Sequence, residues 1–428
     1  SGKADNQRMH PKALLDACTE LTRLLLRFDH PADSVVSKYF RDQRKQMALG
    51  PRERGVLAET GYNVLRQKLR FEHLAKSGTG VKERRLAILG WAAYLDTQAK
   101  LQQPQAMHGD RGFMKAAMSE MEFKWLADCD AATDDAFLAP HKHNLPPWLA
   151  EALEAQLGAE FWPLMQSLQH TAGLDVRVNT LLAKRADVQA ELVAHGIAVV
   201  PTPFSPWGLR MNAKPNLSKL ALFEKGLIEV QDEGSQLVAL VFSQATKSAK
   251  TVLDLCAGPG GKAALISHIC DVEGRDFVAN EVSEARAKLV KNVVGKFPVW
   301  VGDGREISSH GVSFDAIIAD VPCTGLGALR RRPEVRWRRT VQDLRALTEL
   351  QLELANAAIS TLNTGGIFGY ATCSPHFAET FGQVKMILKA HPELEQIDVA
   401  PFLPANLEGA VRDKSMALWT SVHDTDSM

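Results

Sequence analysis

Residues 251–267 read TVLDLCAGPGGKAALIS, and this stretch determines the fold class of the 428-residue chain. A β-rich run, Thr251–Leu255, leads into a glycine-rich turn, and an alanine-rich helical segment follows. Gly258, Gly260 and Gly261 allow the backbone to approach a ligand closely at the amino end of that helix. We therefore predict a strand–turn–helix unit that binds a ligand at the edge of a sheet.

Three ligand classes compete for this turn. A P-loop requires Gly-x-x-x-x-Gly-Lys-Ser/Thr, but Cys256 stands at the first glycine position and Ala263 follows Lys262. A dinucleotide fingerprint survives only in its alanine-ended variant, because Ala263 occupies the third glycine position. S-adenosylmethionine has no pyrophosphate, so a shorter loop suffices for it. The residues of this candidate cofactor loop are Cys256, Ala257, Gly258, Pro259, Gly260, Gly261 and Lys262.

Strand and helix patterns alternate from Ala249 onward. The further β-rich runs are Asp276–Asn280, Val299–Val301, Phe314–Asp320 and Ile367–Ala371. Alternation of this kind predicts an α/β, Rossmann-like domain in which helices cover both faces of a parallel sheet. Ligands of such domains bind at the carboxyl ends of the strands.

Acidic residues end three of these strands. Glu281, after the second strand, is placed to bind ribose hydroxyls of a nucleoside cofactor. Asp303, after the third, is placed to accept a hydrogen bond from an adenine amino group, although a lone Asp there is usually a helix cap. Asp320 ends the fourth strand. An ionisable group is costly to bury without a function, so a site role is favoured for Asp320.

Two cysteines follow neighbouring strands of the predicted sheet. Cys323 comes shortly after Asp320, and Cys373 follows Tyr370-Ala371 within YATCSPH. One such cysteine is most often structural, but two beside an Asp and a glycine-rich loop indicate chemistry. The six cysteines show neither a Cys-x-x-Cys pair nor metal-ligand spacing, so we predict no metal site and no disulfide.

The region before this domain divides into two parts. Residues 1–140 show helical apolar spacing, for example in KALLDACTELTRLLLRF, and predict an all-helical domain. Residues 141–248 mix helical segments with the strand-like runs DVRVNTL, IAVVP and LIEVQD, which predict a small α+β subdomain. The Rossmann-like domain then covers residues 249–428.

Charge is balanced overall but unevenly distributed. The formal net charge is zero, yet lysine and arginine outnumber acidic residues 15 to 7 between Leu21 and Arg85. The second concentration, RRRPEVRWRR, begins at Arg330. A run of this kind is commonly a solvated helix face, but beside a candidate active-site loop it favours contacts to phosphates. The arginines predicted to make them are Arg330, Arg331, Arg332 and Arg336.

No apolar run approaches the roughly 18 residues that a membrane span requires. The polar start of the chain lacks the apolar core of a signal peptide. We therefore expect a cytoplasmic protein without a membrane partner.

The motifs DLCAGPGGK, GDGRE, DVPCTGLGALRRRPEVRW and ATCSP resemble those of the RsmB branch of the Nop/Sun family of RNA cytosine-5 methyltransferases. FEKGLIEVQDEGSQLVA and DVRVNTL are similar to the family's preceding subdomain, and HNLPPWLAE is similar to its junction. LGPRERGVLAETGYNVLRQ is similar to the NusB-like helical domain of this branch. The resemblance covers nearly the whole chain. Gly258, Glu281, Val321 and Ala371 depart from the commoner family residues without removing a chemical function. The chain stops at HDTDSM, where the family continues into a final strand, so the resemblance implies a sheet without that strand.

This resemblance implies the cofactor, the substrate and the residue roles. S-adenosyl-L-methionine would bind the cofactor loop, Glu281, Asp303 and Asp320, and its methyl group would pass to C5 of a cytosine in 16S ribosomal RNA. Cys373 would be the nucleophile that adds to C6, and Cys323 would help to resolve the adduct. Asp320 would contact the cytosine N3/N4 edge, and Lys262 would order the site. The resemblance also implies an RNA-binding role for the helical domain.

Alternatives remain for the nucleophile and for the substrate. DNA cytosine-5 methyltransferases use the thiol of a Pro-Cys pair, which would nominate Cys323 instead. The same chemistry could act on tRNA or on another rRNA site. A different class is a non-catalytic, NusB-like RNA-binding assembly factor with a degenerate methyltransferase domain, against which the intact pair Cys323 and Cys373 argues. We expect a monomer.

Overall fold

A computed structural model describes residues 8–428, with the side chain of Glu408 excepted. Residues 1–7, the start of the predicted helical domain, lie outside the described residues. The chain forms two compact units. The first contains the described residues up to Thr171 together with Leu329–Arg339, and the second contains Ala172–Ala328 and Thr340–Met428.

The first unit is helical, as the apolar spacing predicts. Proline stands at the first position of α1 and α3, where its missing N–H costs nothing, and a capping box of Ser119 and Glu122 begins α7. The core between α1, α3 and α5 contains Leu15, Leu57 and Trp91. The helices before the first strand are α1 (Pro11–Leu25), α2 (Ala32–Gln43), α3 (Pro51–Arg66), α4 (Lys68–Leu74), α5 (Lys82–Gln102), α6 (Gly112–Lys115), α7 (Glu120–Asp130), α8 (Ala139–His143), α9 (Pro147–Leu157) and α10 (Phe161–Ser167).

The division of the structure differs from the predicted boundary at residue 140. Helices α8, α9 and α10 belong to the helical unit, which extends to Thr171. Leu149, Leu153 and Phe161 on α9 and α10 are buried, so these helices have the apolar face that packing requires. The small sheet and the Rossmann-like domain form one compact unit rather than two.

The second unit begins with a small α+β subdomain. Its four strands form an antiparallel sheet in the order β2-β3-β1-β4. Val176, Leu209 and Ile228 from three of these strands are buried in one apolar cluster. The elements are β1 (Leu174–Val178), α11 (Arg185–Ala194), β2 (Val200–Pro201), β3 (Gly208–Met211), α12 (Ala221–Glu224), β4 (Ile228–Val230) and α13 (Glu233–Ala245).

A five-stranded parallel sheet follows, and it confirms the predicted Rossmann-like domain. The strand order is β7-β6-β5-β8-β9, so the chain reverses direction across the sheet after β7. The central strands have apolar, buried centres because helices cover both faces, and Leu253 and Ile317 have no exposed surface. The elements are β5 (Thr251–Asp254), α14 (Gly261–Val272), β6 (Asp276–Glu281), α15 (Glu284–Val293), β7 (Val299–Val301), β8 (Phe314–Asp320), α16 (Val335–Arg338), α17 (Val341–Ser360), β9 (Leu362–Ala371), α18 (Phe381–Ala390), β10 (Val411–Arg412), β11 (Ser415–Met416) and α19 (Thr420–His423).

The end of the chain packs beside this sheet. Within the described residues, β9 forms one edge of the sheet, and β10 and β11 form a short antiparallel hairpin. The backbone N–H of Ser427 donates to the carbonyl of Gly327, at 3.0 Å. Among residues 8–428, no helix is both long enough and apolar enough to cross a bilayer.

Candidate active site and cofactor loop

The cofactor loop connects β5 to α14 at the carboxyl edge of the sheet. Gly258 and Gly260 have φ of 59° and 102°, which L-residues with side chains rarely adopt. A Cβ on Gly260 would also lie 2.9 Å from Cγ2 of Val293, so the turn requires glycine there. The loop ends at Gly261, where α14 begins and leaves its first N–H groups without helical partners.

Glu281 lies against this loop, as its place at the end of β6 predicts. Its Oε1 accepts a hydrogen bond from the N–H of Gly258 at 3.1 Å, and its Oε2 accepts one from Ser283 at 3.0 Å. The side chain is almost fully buried. The carboxylate retains further lone pairs, so this acid and the glycine turn beside it fit a nucleoside with free ribose hydroxyls.

Asn280 also shapes this edge, and the prediction from sequence omitted it. Its Nδ2 donates to the carbonyls of Leu255 and Gly302, both at 3.1 Å. The side chain thereby ties together the ends of β5, β6 and β7. An amide side chain directly before Glu281, at the end of the apolar run Phe277-Val278-Ala279, was the available signal.

Asp303 caps a short 3-10 helix. Its carboxylate accepts from the N–H of Arg305 at 2.9 Å and forms an ion pair with the same guanidinium at 2.7 Å. These hydrogen bonds hold the pKa of Asp303 below its usual value. The capping role that a lone Asp commonly has is therefore present, and the adenine contact stays a prediction.

Lys262 and Asp320 form an ion pair at the mouth of the loop. The Lys262 Nζ lies 2.6 Å from Oδ2 of Asp320 and 3.4 Å from Oγ of Ser235. Burial opposes the charge of Lys262, but Asp320 outweighs it and raises the lysine pKa above its ordinary value. Both side chains retain some exposure, so the charged pair is open to a ligand.

Cys323 and Cys373 meet as predicted from neighbouring strand ends. Asp320 of β8 pairs with Ala371 of β9, and the two Sγ atoms lie 3.2 Å apart. The backbone N–H of Gly327 donates to the carbonyl of Cys373 at 2.9 Å and joins the two loops.

The contact between the thiols makes their titrations interdependent. The hydrogen bond between the thiols lowers the pKa of Cys323, whereas the same contact, together with burial, raises the pKa of Cys373. Of the two thiols, Cys323 therefore loses its proton more readily than Cys373. The positive charge of Lys262 acts to lower the pKa of Cys373 and so favours its thiolate.

Asp254 is a further acid beneath the site. It ends β5 and is only 1% exposed, and its Oδ1 has no hydrogen-bond partner among residues 8–428. Burial, reinforced by the negative charge of Asp320, raises the pKa of Asp254 to about 7. Asp254 was not among the predicted site residues, although it stands two residues before the cofactor loop.

Asp254 is expected to make the second unit less stable as the pH rises. Its pKa lies near 3.8 when unfolded and near 7 when folded, so folding favours the protonated form and stability falls between those pH values. Asp254→Asn should gain about 2 kcal/mol relative to the wild type between pH 5 and pH 8. Urea denaturation at both pH values measures this, and a stability difference independent of pH would contradict it.

The arginine cluster after Cys323 does not form the predicted phosphate surface as a whole. Arg336 has no exposed surface, and its guanidinium donates to the carbonyls of Pro333, Arg66 and Asn144 at 3.1–3.3 Å. Arg330 is 6% exposed. The predicted contact with phosphates is therefore wrong for Arg336 and Arg330, because their side chains are enclosed within the helical unit.

The remaining arginines of the cluster retain surface. Arg332 is exposed and Arg331 is half-buried, so their phosphate contacts stay predictions. No group of three or more His, Cys, Asp or Glu side chains in the described part of the chain is arranged to hold a metal ion.

Comparison with protein families and curated proteins yields consistent matches. Residues 241–428 match the family described as 16S rRNA methyltransferase RsmB/F, and residues 145–218 match the ferredoxin-like domain of RsmF/B-like methyltransferases. A putative methyltransferase of Mycobacterium tuberculosis is 38% identical over 324 residues, covering 74% of this chain and 70% of that protein. Ribosomal RNA small subunit methyltransferase B of Sodalis glossinidius is 30% identical over 369 residues, covering 81% and 84%.

Solved structures share the fold. The crystal structure of PH0851 has a TM-score of 0.72 at 22% identity and covers 98% of both chains. That of NSun6 from Pyrococcus horikoshii with SFG has a TM-score of 0.58 at 21% identity, covering 67% of this chain and 97% of that one.

Proposed function

Because this chain belongs to the RsmB/F family of rRNA methyltransferases, we propose that it methylates C5 of a cytosine in 16S rRNA. The methyl donor is S-adenosylmethionine, which supplies an electrophilic methyl group on a sulfonium when bound. The observation that carries the cytosine-5 assignment is the pair of thiols, 3.2 Å apart, at the sheet edge that also holds Lys262 and Asp320.

Two thiols suit this reaction because C5 of cytosine is a poor nucleophile. Addition of a thiolate to C6 forms a C–S bond and moves the C5=C6 electrons, so that C5 becomes enamine-like and nucleophilic. After the methyl transfer, the proton on C5 must leave and the C–S bond must break. One cysteine can form the adduct with C6 while the other accepts the proton from C5.

We assign the attack to Cys373 and the proton transfers to Cys323. In the resting pair, Cys323 accepts the proton of Cys373, which frees the Cys373 thiolate to add to C6. Cys323 then releases this proton to solvent and, as a thiolate, accepts the proton from C5. The C5–H electrons restore C5=C6, and the C6–S electrons return to Cys373. One proton is released per methyl group transferred.

Asp320 and Lys262 orient the base in this proposal. Asp320 accepts from the exocyclic amine or from a protonated N3, which favours addition at C6. Lys262 holds the Asp320 carboxylate at 2.6 Å and supplies positive charge near the Cys373 thiolate. The target base must leave its stack to reach these groups.

We assign the choice of RNA to the helical unit, as a NusB-like RNA-binding domain. Its support is the excess of lysine and arginine between Leu21 and Arg85 and the exposed Arg332. Such contacts to phosphates position the RNA without reading its sequence.

The proposed function predicts one 5-methylcytidine in unmodified 16S rRNA after incubation with labelled S-adenosylmethionine. Nuclease digestion followed by mass spectrometry identifies both the nucleoside and its position. Transfer RNA and 16S rRNA that is already fully modified are the controls and should take no label. Label in tRNA, or a methyl group on N4, would reject the substrate or the chemistry. Absence of S-adenosylmethionine binding would favour the assembly-factor alternative.

A further inference from the structure

A buried polar cluster lies behind the turn that carries Cys323. Glu379, in the segment after β9, has no exposed surface. Its Oε1 accepts from the backbone N–H of Thr324 at 2.8 Å, and its Oε2 accepts from the Thr324 hydroxyl at 2.6 Å. Gln351 on α17, also fully buried, donates from Nε2 to Oε1 of Glu379 at 3.1 Å.

The cluster holds the backbone on both sides of Cys323. Gln351 Nε2 also donates to the carbonyl of Pro322 at 2.9 Å, and Glu379 binds the N–H of Thr324. The hydroxyl of Tyr370, on β9, donates to the carbonyl of Glu379 at 2.6 Å. Hydrogen bonds from strand β9, helix α17 and the segment after β9 therefore fix the backbone position of Cys323.

Burying the Glu379 carboxylate costs more free energy than a purely structural role requires. Among residues 8–428, no lysine, arginine or histidine forms an ion pair with Glu379, so its burial is compensated mainly by hydrogen bonds. A neutral side chain would bury at lower cost. The negative charge of Glu379 therefore points to an electrostatic effect on neighbouring titratable groups.

The charge of Glu379 acts to raise the pKa of three described neighbours, Cys323, Tyr370 and His376, and of these Cys323 belongs to the site. The hydrogen bond with Cys373 lowers the pKa of Cys323, whereas burial and the negative charge of Glu379 raise it. A thiolate with a higher pKa is the stronger base. The carboxylate thus strengthens the Cys323 thiolate as a proton acceptor.

We propose that Glu379 is a positioning residue for Cys323. Through Thr324 and Gln351 it holds the Pro322–Thr324 turn so that the two thiols stay 3.2 Å apart, and its charge makes Cys323 the better acceptor of the C5 proton. The inference rests on the proposed function in one respect, that Cys323 resolves the adduct. Its electrostatic part concerns the free protein and is tested without RNA.

The first test measures the pH dependence of alkylation at Cys323. Glu379→Gln is compared with its parent in a Cys373→Ala background, so that a single site thiol reacts with iodoacetamide, and the Cys323 peptide is followed by mass spectrometry. The alkylation midpoint should fall by about one pH unit without the charge. Glu233→Gln is the matched control, because Glu233 is equally buried and accepts from the N–H groups of Phe204 and Ser205, both at 2.8 Å. An unchanged midpoint in Glu379→Gln, or an equal shift in the control, would overturn the proposal.

The second test measures release of the covalent complex with 16S rRNA while Cys373 is intact. Glu379→Gln should prolong the adduct at least about tenfold. Gln351→Met keeps the charge but removes the bond to Pro322, so it should slow release without moving the alkylation midpoint. Normal release in both variants would overturn the positioning role. If the midpoint shifts but no variant, including Cys323→Ala, forms an adduct, the proposed function fails while the electrostatic role of Glu379 stands.

Discussion

Cys373→Ala is expected to abolish methyl transfer, with a loss of about 10⁴-fold or more, and to form no covalent complex with RNA. The reason is that C5 gains its nucleophilicity only through addition of a thiolate to C6. Denaturing gel electrophoresis of the enzyme incubated with 16S rRNA and S-adenosylmethionine detects the complex. Cofactor affinity, measured by calorimetry, should stay within about twofold of the wild type and shows that the variant is folded.

Cys323→Ala is the matched variant and should give the opposite result. It retains the Cys373 nucleophile but lacks the proton acceptor, so the adduct should accumulate. The structure makes the comparison informative, because the hydrogen bond between the thiols lowers the pKa of Cys323 rather than that of Cys373. If adduct formation requires Cys323 but not Cys373, the roles are reversed and the attack belongs to the Pro-Cys thiol.

Arg336→Ala is expected to destabilise the helical unit by about 3–5 kcal/mol. The substitution removes a fully buried guanidinium and leaves the carbonyls of Arg66, Asn144 and Pro333 without this donor. Arg336→Lys should recover little, since an ammonium group cannot reproduce the planar fork of donors. Chemical denaturation followed by tryptophan fluorescence measures the effect. Trp337 reports locally, because its indole N–H donates to the carbonyl of Leu65 at 2.8 Å.

Arg332→Ala is the control for that experiment. Its side chain is exposed, so the free energy of unfolding should change by no more than about 0.5 kcal/mol. RNA affinity should fall instead, and the slope of its salt dependence should decrease by about one. Native stability in Arg336→Ala would contradict the buried role, and unchanged RNA binding in Arg332→Ala would remove the last fully exposed arginine of the cluster from the proposed interface.

The Rossmann-like fold could be predicted because its signals are local. Thr251–Asp254 and Phe314–Asp320 are runs of strand length with apolar centres, and each leads into a turn rich in glycine or proline. Parallel strands place their carboxyl ends at one edge. The contacts of Glu281 with Gly258, of Lys262 with Asp320 and of Cys323 with Cys373 follow from that rule.

The burial of charged side chains by segments distant in the sequence could not be predicted in this way. RRRPEVRWRR has the same composition whether it faces solvent or packs against helices, and Arg336 is buried because carbonyls at Arg66 and Asn144 happen to converge on it. Glu379 likewise acquires its role from Thr324, which is 55 residues away in the chain.

The sequence by itself determined the sheet, its ligand-binding edge and the identity of the groups that meet there, because strand period and glycine turns act over a few residues. The tertiary structure alone decided which charges stay in water and which are enclosed. That choice depends on the dielectric environment and on hydrogen-bond partners contributed by distant segments. Thus Arg336 became a structural cation, Asp254 a carboxyl with a raised pKa, and Glu379 a support for Cys323.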